Sequence, residues 1–190
     1  LGILKIRFKK ILFSHDFFKK KYDKKKNKIF YNFLLYNFQI KKEFKKKKFD
    51  IIFYIKNHEN KKNEFAFELI NELSNLYKIC VIGDKININN NIFNKGFVSR
   101  KKATQLIKHS KAAVASYENL FSFFLLDSLQ HRLTVFYNKD YNPQKSIKSK
   151  LLVPIDYNNS KKSINIIKKN LINKKTNKIL FKPNNFDNYI

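Results

Sequence analysis

The chain has 190 residues, enough for one domain with a sizeable hydrophobic core but not for several large domains. Hydrophobic residues make up 43% of the chain, which excludes a disordered protein in spite of a formal net charge of +27. No apolar segment reaches the roughly 18 residues that a membrane-spanning helix needs. The chain begins at Leu1 and contains no methionine, so we expect it to be a fragment whose true start is missing.

Lysine supplies almost all of the positive charge, because Arg7, Arg100 and Arg132 are the only arginines among 41 basic residues. Lys, Asn, Ile, Phe and Tyr share A/T-rich codons, which favours a base-composition bias that fills solvated faces with lysine. A surface for nucleic acid or for an anionic membrane is the alternative. Cys80, the only cysteine, lies in an apolar run, which indicates a buried structural thiol and a reducing compartment.

The first 48 residues alternate between apolar and basic stretches. Residues 11–13 are typical of a short strand, and Ser14 can cap a short helix that runs to Tyr22. A second apolar stretch covers residues 29–38. Residues 39–48, the basic connector, mark a candidate domain boundary or, alternatively, a solvated surface helix.

A regular alternation begins at Phe49. Apolar runs predict buried strands over residues 50–55 and 78–83, and three-four spacing predicts an amphipathic helix over residues 64–77. Gly83 can form the tight turn after the second strand. Residues 84–95 are predicted to be an asparagine-rich loop, and residues 96–98 a short edge strand.

The centre of the chain, residues 99–137, repeats this pattern. Ser99 is predicted to cap a helix that ends near Ser110. Unbroken apolar runs at residues 112–116 and 133–137 are typical of strands that a parallel sheet buries on both faces. Between these runs lie a polar turn at residues 117–119 and a strongly apolar helix at residues 120–129.

After residue 138 the pattern becomes less regular. Residues 151–156 predict a last strand, and Pro154 favours a place at its edge or end. Residues 160–172 predict a basic amphipathic helix, and residues 173–190 a partly disordered tail. Strands that alternate with helices over this length predict an α/β fold with a parallel sheet and helices on both faces.

These elements carry a resemblance to a known family. A KICVIGD strand, a GFVSRKK helix start and an SYEN turn before an apolar helix with an acid are, in this order, similar to the carboxyl-terminal half of a GT-B glycosyltransferase of the group 1 type. That half is a Rossmann-like domain that binds the sugar donor. The resemblance covers residues 49–156. It implies three parts: residues 1–38 as the end of the acceptor domain with the start of a linker, residues 39–157 as the donor domain, and residues 158–190 as a terminal helix and tail.

The resemblance also implies a site for a nucleotide sugar. In this family a basic pair after the first strand grips the donor diphosphate, and Lys56 and Lys62 match it, with Lys61 an alternative to Lys62. Glu118 matches a catalytic glutamate near the transferred sugar, and Asp127 an acid that holds the ribose hydroxyls. The spacing of these two acids is one residue longer than usual, and Asp replaces Glu. Backbone N–H groups for the diphosphate would come from Asn119, Leu120, Phe121 and Ser122.

The residue types suit this chemistry on physical grounds. A polar turn between a buried strand and a helix is where α/β sheets place ligand groups, and a helix amino terminus attracts anions. Lysines and such amides can stabilise the charge that develops on a nucleoside diphosphate leaving group. Glu118 at the end of a strand is otherwise a helix cap or salt-bridge residue. Asp127 can instead pair with a core lysine or with Arg132.

The resemblance therefore implies a cytoplasmic glycosyltransferase, or a fragment inactive by itself, that serves cell-surface polysaccharide or glycan synthesis. Its partners would be a nucleotide sugar and a glycan or lipid-linked acceptor, with peripheral membrane contact as an addition and no specific nucleic acid. We expect no cofactor and no metal, because the four histidines are scattered. The alternatives are a transferase-like domain without activity and a basic module that binds RNA or another polyanion. Most aromatic residues lie in apolar runs, which favours a core over an RNA surface.

Overall fold

The computed structural model describes residues 10–13, 29–32, 40–42, 44–55, 67–86, 91–115, 123–140, 147–172 and 180–181. The chain forms two compact units, Leu1–Asn37 with Lys182–Ile190, and Phe38–Phe181. In the first unit the strands β1 (Lys10–Phe13) and β2 (Ile29–Asn32) pair in parallel. The helix expected between Ser14 and Tyr22 lies outside the described residues.

The second unit contains a six-stranded sheet in which every pair of neighbours is parallel. The strands of this unit are β3 (Phe49–Ile55), β4 (Ile79–Gly83), β5 (Ile92–Asn94), β6 (Ser110–Val114), β7 (Thr134–Asn138), β8 (Ile147–Lys148), β9 (Leu152–Ile155) and β10 (Leu180–Phe181). The sheet has the order β5-β4-β3-β6-β7-β9, and β8 pairs with β10 in a separate antiparallel ladder.

Four described helices cover the two faces of this sheet: α1 (Phe67–Ser74), α2 (Arg100–Lys108), α3 (Phe123–Gln130) and α4 (Ser160–Ile172). Helices α1 and α4 contact each other, and α2 contacts α3. One core cluster joins Leu69 and Leu73 of α1 to Ile164 of α4 and to Ile51 and Phe53 of β3. The sheet is therefore the middle layer of an α/β fold of the Rossmann-like type, as the alternation of elements predicts.

Both faces of the central strands are buried, which explains their unbroken apolar runs. Ile51 and Phe53 point to the α1 and α4 face, whereas Ile52 and its cross-strand partner Cys80 point to the opposite face. Cys80 is fully buried, and burial raises the pKa of its thiol to about 12 even though Lys95 acts in the opposite direction. None of the helices among the described residues is both long and apolar enough to cross a membrane.

Two predictions of local structure are wrong. The edge strand of the sheet is β5, inside the expected asparagine-rich loop, and residues 96–98 are not a strand. Gly96 has a φ of +63°, which extended backbone does not adopt. Within the tail, residues 180–181 form β10 and pair with β8. The end strand β9 with Pro154, the Ser99 cap and helix α4 are confirmed.

Candidate functional site

The strand order reverses between β3 and β6, the two central strands of the sheet. If the six strands are numbered as they occur along the chain, their order across the sheet is 3-2-1-4-5-6, which is the order of dinucleotide-binding Rossmann sheets. In open sheets of this kind a crevice forms outside the carboxyl ends of the two strands where the order reverses. The candidate site is therefore the edge beyond Ile55 of β3 and Val114 of β6.

Most of the predicted site residues follow these two strands in the sequence. Residues 56–66 come directly after β3, and residues 116–122 come between β6 and α3. Lys56, Lys62, Glu118, Asn119, Leu120, Phe121 and Ser122 all lie outside the described residues. Their assignment stays a prediction, and Asp127 is the predicted site residue whose side chain the structure describes.

The carboxyl end of β6 is fixed by a tyrosine from another part of the chain. The hydroxyl group of Tyr157, just after β9, donates a hydrogen bond to the backbone carbonyl of Ala115. Ala115 in turn donates its N–H to the carbonyl of Phe136, at 2.8 Å. Burial raises the pKa of Tyr157 well above its usual value, so the hydroxyl remains a donor throughout the physiological pH range. These bonds hold the residue from which the chain leaves towards the polar turn.

The carboxyl end of β3 is fixed by a glycine of the neighbouring strand. Gly83 has a φ of +96°, and a β-carbon at this position would lie 2.0 Å from the carbonyl oxygen of Ile55. The same carbonyl accepts a hydrogen bond from the N–H of Asp84, at 2.8 Å. Only glycine allows β4 to turn this close to the last residue of β3. The tight turn predicted at Gly83 is thus confirmed, and it supports the residue before Lys56.

Asp127 is buried in α3 and faces α2. Its carboxylate lies 4.0 Å from the guanidinium of Arg100, the first residue of α2. The same guanidinium lies over the ring of Phe123, 4.8 Å from its centroid. The sequence predicted that Asp127, if it paired with a basic residue, would pair with a core lysine or with Arg132. It gave Arg100 no role. Arg100 can be found only once α2 and α3 are known to be neighbours.

A buried histidine, which the sequence did not single out, directly follows the carboxyl end of α3. His131 is 5% exposed, and neither ring nitrogen has a hydrogen-bond partner among the described residues. Burial, together with the nearby charges of Lys41, Lys108 and Lys47, lowers the pKa of His131 to about 4, although Asp127 acts in the opposite direction. A neutral imidazole among three ammonium groups is the expected state at neutral pH.

The lysines at His131 come partly from the basic connector, which is bonded to the ends of two helices. The N–H of Lys41 donates to the carbonyl of Gln130 at 2.9 Å, and the N–H of Lys48 donates to that of His109 at 2.7 Å. The ring of Phe44 meets His109 edge to face at 4.7 Å, and the ammonium of Lys108 lies over it at 4.5 Å. These contacts are on the side of the sheet away from the candidate site, where α2 and α3 end.

Comparison with known proteins does not identify the chain. No protein-family model matches it, and no curated protein sequence matches it. Among the described residues no group of His, Cys, Asp and Glu side chains is arranged to hold a metal ion.

Proposed function

We propose that the second unit binds a nucleotide sugar and acts as the donor half of a GT-B glycosyltransferase. The observation that carries the proposal is the strand order, with its reversal between β3 and β6. A crevice at this point is the usual ligand site of such sheets. The sequence supplies lysines directly after β3 and a polar turn directly after β6, as a site for an anionic donor requires.

The donor diphosphate is the group that this arrangement suits best. Strands β3 and β6 are neighbours in register, with Phe53 opposite Val114, so the segments that follow them start side by side. Lys56 and Lys62 would meet the phosphates from one side. The N–H groups of residues 119–122 before α3 would meet them from the other side, where the helix dipole also favours negative charge. Both sets stabilise the diphosphate as it leaves.

The two acids would recognise the sugars of the donor. Glu118 would approach the transferred sugar, and Asp127 would accept hydrogen bonds from the ribose hydroxyls. Asp127 lies one turn into α3, whose amino end faces the candidate site. Transfer itself needs a glycan or lipid-linked acceptor and an acceptor-binding part, and cell-surface glycan synthesis on the cytoplasmic side fits a donor of this kind.

Calorimetry with a panel of nucleotide sugars at two salt concentrations tests the proposal. Binding of one member should weaken by about 5- to 150-fold in Lys62→Ala, because a charge-assisted contact to phosphate is lost. Lys174→Ala removes the same charge from the tail and is the matched control. Equal weakening by both changes would mean that net charge alone attracts the nucleotide.

The sign of the Glu118→Gln effect separates a transferase site from a basic polyanion-binding module. Removing an acid cannot weaken a purely electrostatic grip on an anion, and it should strengthen that grip. Weaker binding of the nucleotide sugar is therefore expected only if Glu118 reads hydroxyl groups. Tighter or unchanged binding would overturn the donor-site assignment, and steep salt dependence without base or sugar preference would favour the polyanion module.

A further inference from the structure

The free edge of the sheet carries an aromatic ring between two lysines. Among the described strands, β5 has β4 as its only neighbour. Phe93 of β5 lies opposite Cys80 of β4, so both side chains point to the same face of the sheet. The ammonium of Lys78 lies 5.1 Å from the centroid of the Phe93 ring, and that of Lys95 lies 5.9 Å from it. Alternation places Lys78 two residues before Cys80 and Lys95 two residues after Phe93, on this same face.

The ring is anchored at one side and open at another. It packs against the ring of Phe49 with the centroids 5.6 Å apart, which holds its orientation. Phe93 is nonetheless 40% exposed, and Phe97, in the turn after Gly96, is 79% exposed. These two aromatic side chains depart from the expectation that the aromatic residues serve the core. A fixed, open ring with flanking ammonium groups is the arrangement on which nucleobases stack.

We propose that this edge, the Phe93 surface (Lys78, Phe93 and Lys95), binds single-stranded nucleic acid with little sequence preference. One base stacks on the ring of Phe93, and the ammonium groups of Lys78 and Lys95 meet the phosphates on either side of it. The backbones of the two lysines lie about 13 Å apart along the strand direction, from the ordinary rise per residue, and their ammonium groups both lie close to the ring, so they reach different phosphates. This activity goes beyond the proposed donor binding and does not depend on it.

The charges around the surface fit a polyanion. Asp50 is an acidic side chain next to Lys78, and its carboxylate already has two partners. Its carboxylate accepts the backbone N–H of Lys78 at 2.9 Å and pairs with the ammonium of Lys111 at 2.6 Å. The chain as a whole carries +27, which adds long-range attraction to any polyanion. The ring is what distinguishes a nucleic acid from other polyanions, because a base has a π face and a phosphate has none.

Fluorescence anisotropy with a labelled short oligouridine tests the role of the ring. Phe93→Leu keeps an apolar side chain against Phe49 but removes the aromatic face, so it should weaken binding by about 5- to 150-fold. Phe67→Leu is the matched control, because Phe67 of α1 is also 40% exposed and is followed by Glu68. That control should leave binding unchanged. Phe93→Tyr should restore most of the affinity, since it restores the ring.

The salt dependence of binding tests the role of the two lysines. Changing Lys78 and Lys95 together to Gln should lower the slope of log affinity against log salt by about 1.4, as expected for two lost contacts to single-strand phosphates. The same double change at Lys161 and Lys162, which are exposed on α4, is the control. It gives a variant with the same net charge as the first one and should leave the slope nearly unchanged. Phe93→Leu should weaken binding without changing the slope.

Three outcomes would overturn the proposal. The first is that the wild-type protein does not bind the oligonucleotide. The second is that Phe67→Leu weakens binding as much as Phe93→Leu, and the third is that Phe93→Leu binds as well as the wild type. Vesicles that contain phosphatidylserine provide the comparison with a membrane. If the surface bound a membrane, Phe93→Leu should bind these vesicles as well as the wild type does. Vesicle binding that falls in Phe93→Ala but not in Phe93→Leu, with no effect on the oligonucleotide, would assign the surface to a membrane instead. Unchanged calorimetry with the nucleotide sugar in Phe93→Leu would separate this result from the donor proposal.

Discussion

The hydroxyl group of Tyr157 and the backbone carbonyl of Ala115 are hydrogen bonded in the interior of the second unit. The bond joins the turn after β9, the last strand of the sheet, to the end of β6 at its centre. A strand end that precedes a candidate ligand turn is thereby held by a residue far along the chain. Packing at the edge of the sheet and geometry at the candidate site are coupled through this one bond.

Tyr157→Phe should lower the free energy of unfolding by about 1–3 kcal/mol, because the buried carbonyl of Ala115 loses its donor. Urea unfolding measures this change. Tyr137→Phe is the control, since Tyr137 of β7 is equally buried at 5% and its hydroxyl has no hydrogen bond to any described residue. Similar losses in the two variants would show that the hydroxyl of Tyr157 contributes nothing specific. If the turn after β6 binds the donor, Tyr157→Phe should also weaken nucleotide-sugar binding.

Gly83→Ala should destabilise the protein by more than about 3 kcal/mol, since it combines unfavourable backbone torsion with a collision against backbone. The new β-carbon would lie 2.0 Å from the carbonyl oxygen of Ile55. Gly96→Ala is the matched change, with a φ of +63° and only the side chain of Lys85 nearby, at 3.5 Å. It should cost about 1–2 kcal/mol. Thermal unfolding of the two variants compares them, and a smaller loss for Gly83→Ala would mean that β4 can move away from β3.

His131 should make the protein less stable in acid. Its pKa is about 4 in the folded protein against 6.5 for an ordinary histidine. As the pH falls from 6.5 to 4, the unfolded chain binds a proton that the folded chain does not, so folded stability decreases over this range and is fully present above it. The shift corresponds to a loss of about 3 kcal/mol. Urea unfolding at several pH values measures this loss.

His131→Leu should flatten this pH dependence, because the titrating group is removed. Ser128→Ala is a control in the same helix, where the buried hydroxyl donates to the carbonyl of Phe124 at 2.7 Å. This change should lower stability by a similar amount at every pH. An unaltered pH dependence in His131→Leu would contradict the assignment of the acid sensitivity to the buried imidazole.

Asp127 and Arg100 can be tested as a pair. Asp127→Asn should weaken nucleotide-sugar binding by about 10-fold or more if the carboxylate accepts ribose hydroxyls, since bonds to a charged group are lost. Arg100→Gln should change stability by less than about 1 kcal/mol, because its side chain is 65% exposed and the pair is 4.0 Å apart. Calorimetry measures the nucleotide-sugar affinity of both variants, and urea unfolding measures their stability. Unchanged affinity in Asp127→Asn would leave Asp127 as a structural partner of Arg100.

The layers of the fold could be predicted because they depend on local pattern. Ser99 accepts the N–H of Lys102 as a cap must, and Pro154 lies in an end strand where one missing donor matters least. Strand β5 was missed because it has only three residues in an asparagine-rich stretch. The dipeptide Ile92-Phe93 was the available signal in the sequence. Strand β5 is held, however, by the side chain of Asn94, which is hydrogen bonded to both the backbone N–H and the backbone carbonyl of Ile86. Such a bond depends on where two segments meet, which no periodicity shows.

The strands that border the candidate site could be predicted, but the contacts of its described residues could not. Chain order and apolar runs indicate which strands precede polar segments, and the strand order then brings the ends of β3 and β6 together. The neighbours of Asp127 and His131 could not be predicted, because Arg100 and Lys41 come from distant parts of the sequence. Long-range pairing of charges depends on helix adjacency, and propensity and spacing carry no information about it.

The solitary thiol of Cys80 gives the protein a built-in reporter of its own opening. Alkylating reagents attack the thiolate, and this thiol is fully buried in β4 with its pKa raised to about 12. Modification therefore requires β4 to leave the sheet and expose the sulfur to solvent. Because the chain has no second cysteine, the rate of labelling under native conditions measures that opening directly. The same burial protects the sulfur from oxidation for as long as the sheet remains closed.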